Sequence, residues 1–212
     1  MPNSTYYTCT QPGWNGLILV KNQTELTKIM DSLNPDLLSP PDKKKSLRHA
    51  RNAIWVMQNP VDINKQITIK KPVKMYWHKK ILDRHRPSKA RRSWNGAMQL
   101  SRLGIATAKP IAFFERENDK TLMQNFYICE FVPADCNIGQ IFSAFSAGES
   151  EFMGFNQEQI YAQLARFILK MHSRGCYFRD LSAGNILVTI KTDSLYFTLI
   201  DTARARFSNY PI

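Results

Sequence analysis

Between Asn156 and Ser173 the apolar residues Ile160, Leu164, Phe167, Ile168 and Met171 recur at helical spacing. Asn156 can accept from first-turn amides and Gly175 suits the position just past a helix end, so the pattern predicts one long helix. His172, at its end, reads as a helix-end cap. A second helix is predicted from Lys89 to about Leu103, capped by Ser88 and stopped by Gly104. Its inner face is Ala90, Trp94, Ala97, Met98 and Leu100 or Ser101. Elsewhere the apolar runs are short. Arg51–Gln58 and Gln66–Lys70 read as strands around a polar turn, Asn59–Lys65. Ile111–Glu115 and Asn125–Val132 read as two more. Asn185–Ile190 and Leu195–Ile200 flank the polar turn Lys191–Ser194 and read as a hairpin, which returns Asp201 to the neighbourhood of Asn185. Trp77–Arg86 is basic and reads as helical. The elements together predict an α+β chain.

The hairpin carries the most specific chemistry. Arg179-Asp180-Leu181 is followed by Asn185, and Ile200-Asp201 closes the second strand. An Asp, an Asn five residues on and a second Asp one hairpin later is the layout of a kinase catalytic loop with its metal-binding strand end. Asp180 can accept a hydroxyl proton. Asn185 and Asp201 offer the oxygen ligands that Mg²⁺ prefers. Arg179 reads as a brace for the loop. Taken singly, each of these residues is ordinary; order and spacing make the signal.

The residues Ser88-Lys89-Ala90-Arg91-Arg92-Ser93-Trp94, the segment Leu103–Pro110, the catalytic string and Ile200-Asp201-Thr202-Ala203-Arg204 resemble the bacterial lipopolysaccharide kinase (Kdo/WaaP) family. The resemblance runs from roughly Lys43 to the C-terminus. It implies a two-lobed, protein-kinase-like α+β fold with an incomplete C-lobe: residues 1–42 an N-terminal extension, 43–132 the N-lobe and 133–212 a partial C-lobe. It also implies transfer of phosphate from ATP, with Mg²⁺, to a sugar hydroxyl of the lipopolysaccharide inner core or its lipid-linked precursor. On that reading Asp180 is the catalytic base, Asn185 and Asp201 hold the metal, and Lys70 in Ile67-Thr68-Ile69-Lys70 holds the phosphates. Lys74 is the rival for that role; Lys70 is preferred because its strand alternates more cleanly and Pro72 interrupts pairing beyond it. Glu130 and Val132 present backbone groups to adenine. The chain departs from protein kinases at four places. Lys45–Arg51 has no glycine where a phosphate loop is expected. Ser93 stands where some relatives carry Glu, Ala203 replaces a Gly and Phe178 replaces a His. The sequence ends 11 residues after Asp201, which is read as a truncated C-lobe.

Charge sharpens the choice of partner. Of the net +12, the segment from Pro41 to Pro110 carries 18 Lys and Arg against Asp42, Asp62 and Asp83, while the remainder is slightly acidic. Such clustering fits nucleic acid, anionic lipid headgroups or a solvated basic face. With a kinase core attached, an anionic substrate or peripheral membrane surface is favoured. Nucleic acid has no recognisable reading motif here. A protein kinase and a catalytically impaired pseudokinase docked on anionic membranes are the alternative readings. Four scattered cysteines lack metal-ligand spacing and read as free thiols. No apolar run approaches a membrane span, and Met1–Lys21 lacks the pattern of a signal peptide. The expected location is the cytoplasm, at the inner face of the inner membrane.

Overall fold

A computed structural model describes residues 4–77, 86–179 and 181–211. The chain forms two compact units, Met1–Asn95 with Lys109–Phe131, and Gly96–Ala108 with Val132–Ile212. The first is built on strands β1 (Thr5–Thr8), β2 (Trp14–Val20), β3 (Arg48–His49), β4 (Asn52–Gln58), β5 (Gln66–Pro72), β6 (Pro110–Arg116) and β7 (Asn125–Glu130). They pair antiparallel in the order β1-β2-β6-β7-β5-β4-β3. Helix α1 is Gln23–Ser32 and α2 is Lys89–Arg102; α2 begins in the first unit and ends in the second.

Side chains of directly paired residues share a face of a sheet, and successive residues alternate between faces. One row, Tyr7–Ile18–Ala112–Ile128–Ile69–Trp55, belongs to a core that also takes in Leu26, Ile29 and Leu33 from α1 and the residue after it. The adjacent row, Leu17–Phe113–Tyr127–Lys70–Ile54–Arg48, faces the other way, where Phe113 packs on Trp94 of α2 with ring centroids 5.6 Å apart. Segment 1–42, set apart as an extension in the sequence, thus supplies two strands and a helix to this sheet. Its pairing partner, β6, lies about ninety residues away in the chain, so no local pattern reveals the pairing. Asp36 ties the segment down: it accepts from Trp14 Nε1 at 2.8 Å and Arg116 Nη1 at 2.7 Å. The hydrogen bond from Trp14, then that from Gln11, holds its carboxyl below the usual range.

The second unit contains β8 (Cys136–Asn137), α3 (Ile138–Ser146), β9 (Glu151–Phe152), β10 (Phe155–Asn156), α4 (Gln157–Ser173), β11 (Cys176–Phe178), β12 (Ile186–Lys191), β13 (Ser194–Leu199) and β14 (Ala205–Phe207). Helix α4 carries a complete capping box: Asn156 Oδ1 accepts from Gln159 N at 2.9 Å, and the Gln159 side chain returns a bond to Asn156 N. The β12–β13 hairpin forms in the register Ile186↔Leu199 to Lys191↔Ser194. The stretch Trp77–Arg86, read as helical, lies outside the described residues except at its two ends. All four cysteines are buried free thiols. Burial pushes Cys129 up to about 12 and Cys176 up to about 11, so both are protonated at neutral pH.

Gly175 ends α4 at φ +70°, and an added Cβ would stand 2.2 Å from Ser208 O, while Ser208 N donates to Gly175 O at 2.8 Å. Gly175→Ala therefore combines left-handed strain of roughly 1–2 kcal/mol with backbone overlap of about 1–3 kcal/mol. We expect chemical denaturation to show a loss of about 2–5 kcal/mol. A change below about 0.5 kcal/mol, the range of an ordinary surface substitution, would contradict this close packing.

Candidate active site

In the second unit the segment around the expected catalytic loop is pinned on both sides. β11 pairs with β14, placing Phe178 opposite Ala205. After the loop, Asn185 N donates to Ser182 O at 2.9 Å, and Ile200 N donates to Asn185 O at 2.9 Å. That last bond sets Asn185 one residue from Asp201 across the hairpin. The described residues on either side of the loop, Phe178 and Asn185, are therefore both tied to the 200–205 segment. Asp180 itself lies outside the described residues.

The strand end beneath Asp201 is held from a third direction. Leu199 N donates to Ala106 O at 3.0 Å, Ala108 N to Leu199 O at 3.3 Å, and Thr107 Oγ1 to Leu199 O at 2.9 Å. Arg174 donates to the carbonyls of Leu103 and Gly104, closing the end of α2. Gly96 on α2 lies against the backbone of Thr202: a Cβ there would stand 2.3 Å from Thr202 O. Thr202 and Ala203 are buried, whereas Asp201 is exposed. Asp201 adopts φ 57°, ψ 54° in the left-handed region. A non-glycine residue held there costs free energy, and such positions gather at functional sites. Asn185 and Asp201 supply an amide oxygen and a carboxylate, the hard donors that suit Mg²⁺. Among the described residues no three His, Cys, Asp or Glu side chains cluster as a metal cage. A kinase metal needs none, because phosphate oxygens complete its shell.

In the first unit, Lys70 sits in β5, partly buried, between Ile54 and Tyr127 on the face that carries the Phe113–Trp94 contact. Its neighbour Lys71 points the other way, its Nζ 4.8 Å from the Phe126 ring centroid, and burial holds that ammonium below the usual lysine range. Lys74 lies beyond the strand, exposed, with Nζ 5.6 Å from the Tyr76 ring centroid. At the end of β7, Glu130 N donates to Lys109 O at 2.8 Å and its carboxylate lies 3.7 Å from Lys109 Nζ. Val132 follows in the second unit, outside any strand, and its backbone N–H has no hydrogen-bond partner among the described residues. Where a glycine-rich loop was looked for, Arg48 and His49 instead form a short strand on β4.

Two features of the site carry weak or no local signal in the sequence. Gly96 is signalled only by its place inside a helix, where a glycine costs about 1 kcal/mol relative to Ala and so marks a close approach. The row that puts Arg48 on the face of Lys70, two strands away, depends on register, which no local pattern records.

The profile of the lipopolysaccharide kinase (Kdo/WaaP) family matches residues 46–209. A structure of WaaP in complex with acyl carrier protein is similar at a TM-score of 0.55 and 17% identity, covering 84% of this chain and 67% of WaaP. The kinase domain of Mycobacterium tuberculosis PknI, as a cysteine-to-alanine variant, gives a TM-score of 0.48 at 16% identity, over 76% of this chain and 59% of that domain. No curated protein matches the sequence. The WaaP similarity establishes an α+β, protein-kinase-like fold, of which this chain covers part.

Proposed function

The chain belongs to the lipopolysaccharide kinase (Kdo/WaaP) family, and we propose that it is an ATP-dependent phosphotransferase acting on a sugar hydroxyl of the lipopolysaccharide inner core or its lipid-linked precursor. The observation that carries this reading is the junction of Asn185 and Asp201. One backbone bond joins their strand ends, and Asp201 is held in a strained, exposed conformation. Mg²⁺, when bound, neutralises charge on the β- and γ-phosphates. Asn185 and Asp201 supply oxygen ligands for it. Lys70 holds the phosphates by charge. The N–H of Val132 is available to an adenine edge, while Glu130 has its own N–H engaged by Lys109. Asp180 orients the sugar hydroxyl and takes its proton as the oxygen bonds to the γ-phosphorus; the β–γ bridging bond breaks and ADP leaves.

The place of action we propose is the cytoplasmic side of the inner membrane, where ATP and a lipid-linked acceptor meet. The basic charge between Pro41 and Pro110 supports it. No helix among the described residues is long and apolar enough to cross a membrane.

The test is turnover of γ-labelled ATP with purified inner-core oligosaccharide. We expect label on a sugar, and a fall on the order of 10²- to 10⁴-fold for Asp180→Ala, the range for a general base. Label on Ser, Thr or Tyr of a protein instead would overturn the assigned acceptor. Unchanged turnover by Asp180→Ala would overturn the assigned base.

A further inference from the structure

We propose that Arg48 is a second phosphate-binding cation, which with Lys70 grips the triphosphate of ATP in place of a glycine-rich loop. The inference rests on the kinase reading and assigns a residue that the catalytic string does not contain. Arg48 pairs with Ile54, and Ile54 pairs with Lys70, so both basic side chains leave the same face of the sheet. Two strand spacings separate their backbones, roughly 10 Å. Both side chains are long and unbranched enough to converge over the intervening Ile54 upon one polyphosphate.

The backbone cannot take this role in the usual way. A phosphate loop works because glycines let amides approach the ligand closely. Here residues 45–51 contain no glycine, Ala50 N donates to Asn52 O at 3.1 Å, and the carbonyl of Arg51 accepts from Val73 N and Lys74 N. The turn is thus closed on its own strands, and binding passes to a side chain. Arginine suits it: a planar fork can meet two phosphate oxygens at once. Arg48 is exposed and has no carboxylate partner among the described residues.

Position singles out Arg48 within its basic run. Lys43–Lys45 form a short 3₁₀ turn outside the sheet. His49 pairs with Ala53, in the row of Lys71 on the opposite face. Arg51 lies in the turn. A headgroup phosphate of an anionic bilayer would engage the run as a whole, without regard to row.

The experiment is equilibrium binding of MgATP and of adenosine to the whole chain, beside co-sedimentation with phosphatidylglycerol vesicles. Arg48→Gln should weaken MgATP binding roughly 10- to 100-fold, the worth of a charge-assisted hydrogen bond, and leave adenosine binding unchanged. Arg48→Lys should recover part of the loss, because a single ammonium keeps the charge without the fork. Lys28→Gln on α1, which removes the same charge on the opposite face, should bind MgATP normally. Thermal midpoints should not move, since Arg48 is solvent-exposed. Equal MgATP affinity in the unsubstituted chain and Arg48→Gln overturns the proposal alone. So does equal loss of ATP and adenosine, or loss confined to vesicles. An unsubstituted chain that binds no MgATP overturns both this proposal and the kinase reading.

Discussion

Asp201→Asn should abolish most phosphotransfer while leaving the fold intact. The substitution keeps the size and shape of the side chain and removes its charge. It also respects the backbone: φ 57° and ψ 54° lie in the left-handed region, where Asn is as well tolerated as Asp. Asp201 is exposed and stands just outside the buried pair Thr202 and Ala203, so no core contact is lost. We expect stability within about 1 kcal/mol of the unsubstituted chain, as for a surface change away from packing. If Asp201 is the anionic metal ligand we propose, its loss should reduce turnover on the order of 10²- to 10³-fold, the scale of removing a preorganised electrostatic group. Half-saturation in Mg²⁺ should move upward with it. A variant that turns over normally at the original Mg²⁺ concentration would remove Asp201 from the metal site. Asp201→Gly sharpens the test: glycine accepts the left-handed backbone without strain, and the variant should be equally inactive.

Gly96→Ala tests the support beneath that residue. On intrinsic propensity alone the change favours the helix by about 1 kcal/mol. Tertiary contact opposes it. The new Cβ would stand 2.3 Å from Thr202 O and 3.1 Å from Thr202 Cβ, and backbone lies on both sides of the overlap. Neither partner can rotate away, so α2 and the 201–204 turn must separate. Overpacking of this kind costs about 1–3 kcal/mol, which outweighs the propensity gain. The functional effect should be larger than the stability effect, because Thr202 directly follows Asp201, the proposed metal ligand. A displacement near 1 Å at a catalytic group can lower rates about 10²-fold. We expect Gly96→Ala to lose activity by about that factor while denaturation shows a loss of up to about 2 kcal/mol. A more stable and fully active Gly96→Ala variant would show that propensity wins and that Thr202 does not need this contact.

Both substitutions lie near a candidate site whose proposed ligands stand out in the sequence and whose supports do not. Asp180, Asn185 and Asp201 stand out because a short loop and a two-residue turn leave few ways to arrange them. The hairpin needs only the alternation of Ile186–Lys191 and Ser194–Leu199 around a polar pair, and the structure has that pairing. Strand alternation favours Lys70 over Lys74 as the candidate, and in the structure Lys70 lies within β5 and Lys74 beyond it. The first forty-two residues were opaque for the opposite reason. Beyond its own hairpin with β1, the backbone of Trp14–Val20 pairs with β6, far along the chain, and its burial depends on a sheet assembled from distant strands.

Features settled within a few residues of one another are readable from the chain: the capping box of Asn156 and Gln159, the stop at Gly175, the β12–β13 hairpin and the order of the catalytic string. Their hydrogen bonds close over short loops, so local composition specifies them. Which side chains share a face or a boundary is set by long-range pairing and packing. Arg48 joins Lys70 through the register of three strands, and Gly96 meets Thr202 across more than a hundred residues of chain. A shift of one residue in that register would send Arg48 to the opposite face with no change in composition, because side chains alternate with a period of two.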